Sequence, residues 1–282
     1  MSVRIAVVQP KVDLDDRERN VQLAVDYVRR AAAQGARIVC LPETYPGPWT
    51  PPLDYDPLPE LTACARELDV HLIAGLIEPA PEGGGHWNSL VLLTPEGEAG
   101  RYRRTTPAGP WIYKGGKFWD FGYTAAAELP VFDTPHGRVG LLVCSEVYVP
   151  ELARALALKG AEILFMPAGL EKKGQWDTWR VLTRARAIEN LAFTATCQNL
   201  TGAERGHAGL AMICSPEEVL AESPAEGILV ADLDLERLRW LRAMQDGPGF
   251  PGEKRCKTGV LWQWYQPELY ERDRAAALEP GP

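Results

Sequence analysis

The feature that most limits what this 282-residue chain can fold into is a series of short apolar runs, each long enough for one buried strand, alternating with stretches of helical period. Val3 to Gln9 reads as the first strand, and Arg17 to Gln34 carries Val21, Val25, Val28 and Ala32 on one helical face before Gly35 ends it. Arg37 to Leu41 is a second strand, stopped by Pro42, and the acid Glu43 follows directly. A helix near Pro59 to Leu68, a strand from His71 to Ile77, and two strands at Asn88–Leu93 and Ala99–Tyr102 around a turn continue the pattern. Leu129 to Thr134 and Arg138 to Val143 flank a His136-Gly137 turn, and Cys144 ends the second of them. Pro150 starts a helix to Lys159; Ile163–Met166, a helix Trp176–Asn190, strands Ala192–Gln198, Leu210–Cys214 and Ile228–Ala231, and a helix from Leu235 complete the body. The mixture predicts an α/β fold whose hairpin strands exclude a purely parallel sheet. With no break in composition, residues 1–282 read as one domain.

Composition removes several classes of function. At 46% hydrophobic residues the chain has material for a sizeable core, and a net charge of -8 argues against nucleic acid as a partner. No apolar run reaches the roughly 18 residues a membrane helix needs, and the opening strand lacks the flanks of a signal peptide. The six cysteines are scattered without a CxxC pair, as expected of free thiols in a reducing cytoplasm. His71, His86, His136 and His207 show no zinc spacing, so neither a metal nor a cofactor is expected.

Reactive groups in α/β proteins gather beyond the carboxyl ends of strands, and Glu43 and Cys144 each follow an apolar strand directly. A thiol at a strand-to-helix turn beside a carboxylate supports acyl transfer through a thioester, although Cys144 taken alone reads as an inert buried thiol. The neighbours alter that weighing. Leu41-Pro42-Glu43, Gly100-Arg101-Tyr102-Arg103-Arg104, Gly137 through Cys144-Ser145-Glu146 and Arg184 through Asn190 occur in the order seen in the nitrilase superfamily, the carbon-nitrogen hydrolases, which this chain resembles from Val3 to about Arg242.

The resemblance implies a four-layer α-β-β-α sandwich and a Glu-Lys-Cys triad, with Glu43 as general base and Cys144 as nucleophile. The position matching the family lysine holds Arg104, and a guanidinium fork does not reproduce a compact ammonium. Three accounts follow: Arg104 itself holds the oxyanion, Lys114 or Lys117 from the aromatic segment 103–129 replaces the ammonium, or the site is catalytically poor. The family's second glutamate has no counterpart between Thr105 and Asp120, where Asp120 is the one acid available. Glu146 reads as an organiser of the turn around Cys144, and Arg186 with Asn190 as scaffold. Trp111, Ser145, Glu146 and Trp176 are expected around the substrate, with Trp176 and Trp179 equally readable as core.

The implied function is hydrolysis of a small amide to a carboxylic acid and ammonia or an amine. The alternatives are cleavage of a nitrile, transfer of the acyl group to an amine, and a binding or scaffold protein with weak turnover. Residues 243–282, with Trp262, Trp264, Tyr265 and Tyr270, read as an extension that packs at a subunit interface, predicting a homodimer or larger homo-oligomer.

Overall fold

Strand β1 (Ser2–Gln9) shows why its sequence is apolar almost throughout: Val3, Ile5 and Val7 enter one cluster of core residues while Ala6 and Val8 enter another. A strand buried on both faces must have a layer of structure on each side. In the computed structural model, which describes residues 2–48, 53, 55–80, 85–106, 124–169, 176–201, 209–243, 266–269 and 271, those layers are helices on one face and a second sheet on the other.

The first sheet adds β2 (Ile38–Cys40), β3 (His71–Pro79), β4 (His86–Thr94) and β5 (Gly97–Arg103) on one side of β1, and β12 (Gly227–Asp234) on the other. The second has the order β11 (Val219–Ser223), β10 (Ala211–Cys214), β9 (Phe193–Thr196), β8 (Ile163–Phe165), β7 (Gly137–Leu141), β6 (Val131–Thr134). Each sheet is mixed: β1-β2-β3 and β7-β8-β9 run parallel, and the outer pairs are antiparallel. The inner faces meet through Ile5, Ile73, Leu90 and Tyr102 of the first sheet and Val139, Leu141, Ile163 and Phe165 of the second. Helices α1 (Arg17–Ala33) and α2 (Leu58–Leu68) cover the outer face of the first sheet. Helices α3 (Pro150–Leu158) and α4 (Trp176–Asn190) cover the second, and α5 (Leu235–Ala243) follows β12. This is the four-layer sandwich expected from the sequence.

Local chemistry sets the element ends. The Asp16 side chain accepts from the Arg19 N–H to cap α1, and Gly35 takes φ +86° just beyond it. Pro150 opens α3, where a missing N–H is harmless. Strand β11 has no counterpart in the sequence reading, and β12 runs longer than Ile228–Ala231. Both lie at sheet edges, where partly exposed side chains blur the apolar period. Among the described residues, no helix is long and apolar enough to cross a membrane.

Candidate active site

The chain leaves β2 at Cys40 and turns sharply over residues 43–46, bringing Glu43 back over the sheet. That turn lies on β3 at Gly75, where a Cβ would sit 2.2 Å from the Thr44 nitrogen and 2.6 Å from the Pro42 oxygen. Only a residue without a side chain admits so close a backbone. Thr44 takes φ +55°, a left-handed conformation uncommon for a residue with a side chain.

On the second sheet, β7 gives way to a 3-10 turn over Cys144–Tyr148, and Cys144 takes φ +52°. Strain of this kind persists where surrounding bonds over-determine it. Here the Cys144 N–H donates to the Pro167 carbonyl at 2.9 Å, and Glu146 holds the turn from within. Fully buried, Glu146 accepts from the Val143 N–H at 2.8 Å, the Tyr102 hydroxyl at 2.7 Å, and the N–H groups of Thr105 and Thr106 at 2.9 and 3.0 Å. Its carboxylate thus ties the thiol-bearing turn to the segment that follows β5. Arg186 braces the same turn from α4, donating to the Val147 carbonyl through Nε at 3.1 Å and Nη2 at 2.9 Å, and Asn190 donates to the Arg186 carbonyl at 3.0 Å.

Arg104 lies at the end of β5, held by Nε to the Thr106 carbonyl at 3.0 Å. Its Nη1 lies 3.4 Å from Glu43 Oε1, and its Nη2 donates to the Ser145 hydroxyl. Glu43 and Arg104 are 1% and 3% exposed, so this ion pair works in a medium that screens it weakly. Glu43 Oε1 also accepts from Asn88 Nδ2 at 2.7 Å, while Asn199 Nδ2 donates to the Glu43 main-chain carbonyl at 2.8 Å. Glu43 Oε2 is buried and has no partner nitrogen or oxygen among the described residues. It lies against Gly169, where a Cβ would be 2.6 Å away.

Burial pushes the Cys144 thiol well above its ordinary range, and the Glu43 charge and the hydrogen bond the thiol donates to Glu43 add to that rise. Arg104 and the Gly169 backbone N–H, which hydrogen-bonds the sulfur, pull the other way without prevailing. The resting sulfur is therefore a neutral thiol, and it becomes a good nucleophile when a base takes its proton as it attacks.

Glu43, Arg104, Cys144 and Ser145 thus come together from three separate parts of the chain. Trp179 is 5% exposed in the helix–sheet layer and Trp176 packs against the same cluster, as the core reading of that pair anticipates. Trp111, Lys114, Lys117 and Asp120, and most of the segment 243–282, lie outside the described residues. Sequence reasoning missed Asn88, Gly169 and Asn199. The one available signal was an Asn at the head of an otherwise apolar strand run.

A carboxylate, a guanidinium and a thiol thus meet at the strand ends of the four-layer sandwich, a grouping suited to acyl transfer through a thioester. The carbon-nitrogen hydrolase family model matches residues 4–243, and the chain belongs to that family. It is 29% identical to the omega-amidase of Homo sapiens, over 86% of this chain and 92% of that one. It is 32% identical to the deaminated glutathione amidase of a Synechocystis strain (79% and 89% covered) and 31% identical to the nitrilase of Pyrococcus abyssi (84% and 92%). Among solved structures, the carbon-nitrogen hydrolase of Helicobacter pylori G27 superposes with a TM-score of 0.78 at 25% identity, covering 97% of this chain and 99% of that one. An amidase from Nesterenkonia sp. does so with 0.71 at 25% identity, over 84% and 92%. The protein is a carbon-nitrogen hydrolase of the amidase or nitrilase type.

Proposed function

We propose that the chain hydrolyses a small amide through a Cys144 thioester, with Glu43 as base and Arg104 in place of the family's lysine. The observation that carries this reading is the buried Arg104 guanidinium, which contacts Glu43 and Ser145 together and so stands beside the thiol-bearing turn. Glu43 takes the thiol proton while sulfur adds to the amide carbon. The carbonyl oxygen takes up the negative charge, and Arg104 and the Ser145 N–H stabilise it. The Cys144 N–H is already committed to Pro167, so the oxyanion donors come from these neighbours. Glu43 then returns its proton to the leaving nitrogen as the C–N bond breaks. Water, deprotonated by Glu43, adds to the thioester; the C–S bond breaks and the carboxylic acid leaves with the thiol restored. Trp111 completes the reading as an apolar wall for the substrate, with Glu146 holding the turn and Trp176 left to the core layer it packs against.

Relatives named both amidases and a nitrilase keep nitrile cleavage as the second reading, since attack on a nitrile uses the same groups. The test is an ammonia-release screen of small amides and nitriles using the natural protein, Cys144→Ala, Arg104→Lys and Arg104→Ala. Amide turnover that vanishes in Cys144→Ala and falls at least tenfold in Arg104→Lys is expected, because a lysine does not span Glu43 and Ser145 together. An Arg104→Ala variant as active as the parent would reject Arg104 as the working cation and leave that role to Lys114 or Lys117. The reading includes a homo-oligomer, supported by the exposed Val181 (65%) and Ile188 (51%), two turns apart on α4, and by Tyr148 (44%). A monomer in light scattering at micromolar concentration would overturn it.

A further inference from the structure

We infer that Asn88 is a positioning residue, setting which oxygen of Glu43 faces the thiol and where the Arg104 backbone lies. The inference rests on the reading of Glu43 as base and extends it to a residue that reading does not use.

Asn88 sits on β4, two residues before Leu90 of the inner core, on the face of the strand that looks toward the second sheet. It is 1% exposed. Its two ends serve the two charged members of the site. The side-chain Nδ2 donates to Glu43 Oε1 at 2.7 Å, and the main-chain carbonyl accepts from the Arg104 N–H at 2.8 Å. The second contact is part of how β5 follows β4, where Ser89 pairs with Arg103. The first is a choice of side chain.

The consequence for Glu43 is an unequal carboxylate. Asn88 and Arg104 both converge on Oε1, while Oε2 has neither a nitrogen nor an oxygen partner among the described residues. Oε2 lies against Gly169, whose backbone N–H hydrogen-bonds the Cys144 sulfur. One oxygen is anchored, and the other is left at the sulfur side to receive a proton. The Asn88–Oε1 bond is shorter than the Arg104 contact, so Asn88 is the tighter of the two anchors.

The other half of the amide argues against a purely structural role. Asn88 Oδ1 is buried with no hydrogen-bond partner among the described residues. A buried acceptor without a donor destabilises a fold, and a leucine of similar size would avoid that penalty. The residue type is thus poor for stability and well suited to donating one hydrogen bond to a carboxylate.

The experiment follows Cys144 alkylation by iodoacetamide across pH, with intact-mass analysis to count labels and Cys144→Ala to assign them. It needs no substrate, so it remains decisive even if the amide reading fails; that separate failure would show as no ammonia release by the natural protein. Removing the Asn88 donor disfavours the ionised carboxylate, so in Asn88→Leu the acid limb of the alkylation profile should move up by roughly one pH unit. The kcat for amide hydrolysis should fall at least tenfold with KM within about twofold, because the lost bond orients the base and does not touch substrate. Asn88→Asp is the second variant, of equal size, and its charge beside Oε1 should move the limb in the same direction even if Asn88→Leu does not fold. A limb that coincides with the parent's in a folded variant, or a loss of rate that is equal at every pH, would overturn the inference.

Discussion

Glu146→Gln changes one atom of a fully buried side chain and leaves its shape alone, so its effect isolates what the charge and the acceptors of this carboxylate contribute. Oε1 faces the N–H groups of Thr105 and Thr106, and Oε2 faces the Val143 N–H at 2.8 Å. A glutamine offers one acceptor oxygen in place of two. If that oxygen stays with Thr105 and Thr106, the new NH2 is set against the Val143 N–H, and an unsatisfied buried donor costs about 1–3 kcal/mol. The two remaining backbone bonds lose their charge assistance, about 1 kcal/mol each by the difference between charged and neutral hydrogen bonds. The expected loss is about 3–5 kcal/mol, read by urea unfolding, with Tm lower by on the order of 10 °C. Turnover should fall as well, measured where the variant is still folded, because the Thr106 carbonyl that holds Arg104 belongs to the same segment. A loss below about 1 kcal/mol would refute the reasoning, since it would mean the network tolerates a donor where it now has an acceptor.

Two further outcomes are expected. In Gly169→Ala the new Cβ would lie 2.6 Å from Glu43 Oε2, so the carboxylate must swing while Asn88 pins its other oxygen. Activity should drop at least tenfold with Tm nearly unchanged, and an unaltered rate would show that Oε2 has room to spare. His71 and His136 meet edge to face at 5.1 Å between β3 and the β6–β7 turn, and burial holds both below the usual imidazole range, helped at His71 by the charge of His136 and at His136 by Arg37. The folded state therefore binds fewer protons than the unfolded chain. Stability from the neutral pair is fully present above the ordinary histidine value of about 6.5 and is lost as pH falls below it. Urea midpoints at pH 8 and 5.5 should differ more in the natural protein than in His136→Gln; equal differences would contradict the assignment.

The sequence makes the two reactive ends legible because each closes a strand. The apolar runs stop at Pro42 and at Cys144, and a polar or reactive residue just past a buried strand has few places to be other than the sheet's edge. Arg104 was visible through its ordered place among the motifs. Asn88 and Asn199 were not, since a single amide in a strand leaves no period, and their bonds to Glu43 span 45 and 156 positions that no local pattern can register. Gly75 and Gly169 were opaque for a related reason: their value lies in the backbone or side chain that approaches them, which is fixed only after both sheets have packed. Strand β11 escaped because four of its five residues, Val219, Ala221, Glu222 and Ser223, alternate poorly between apolar and polar.

Glu43 hangs from the first sheet and Cys144 from the second, so the slab of side chains between them acts as the spacer that sets the distance over which a proton must pass. Cys40 and Cys197, three residues before Glu43 and two before Asn199, fill that slab from opposite sides, with Ile73, Val143 and Phe165 around them. Thinning it by a methyl group would let the halves settle closer, and thickening it would wedge them apart. The grease in the middle of this molecule is thereby a gauge block for its chemistry, and turnover should register a change in its thickness well before the fold gives way.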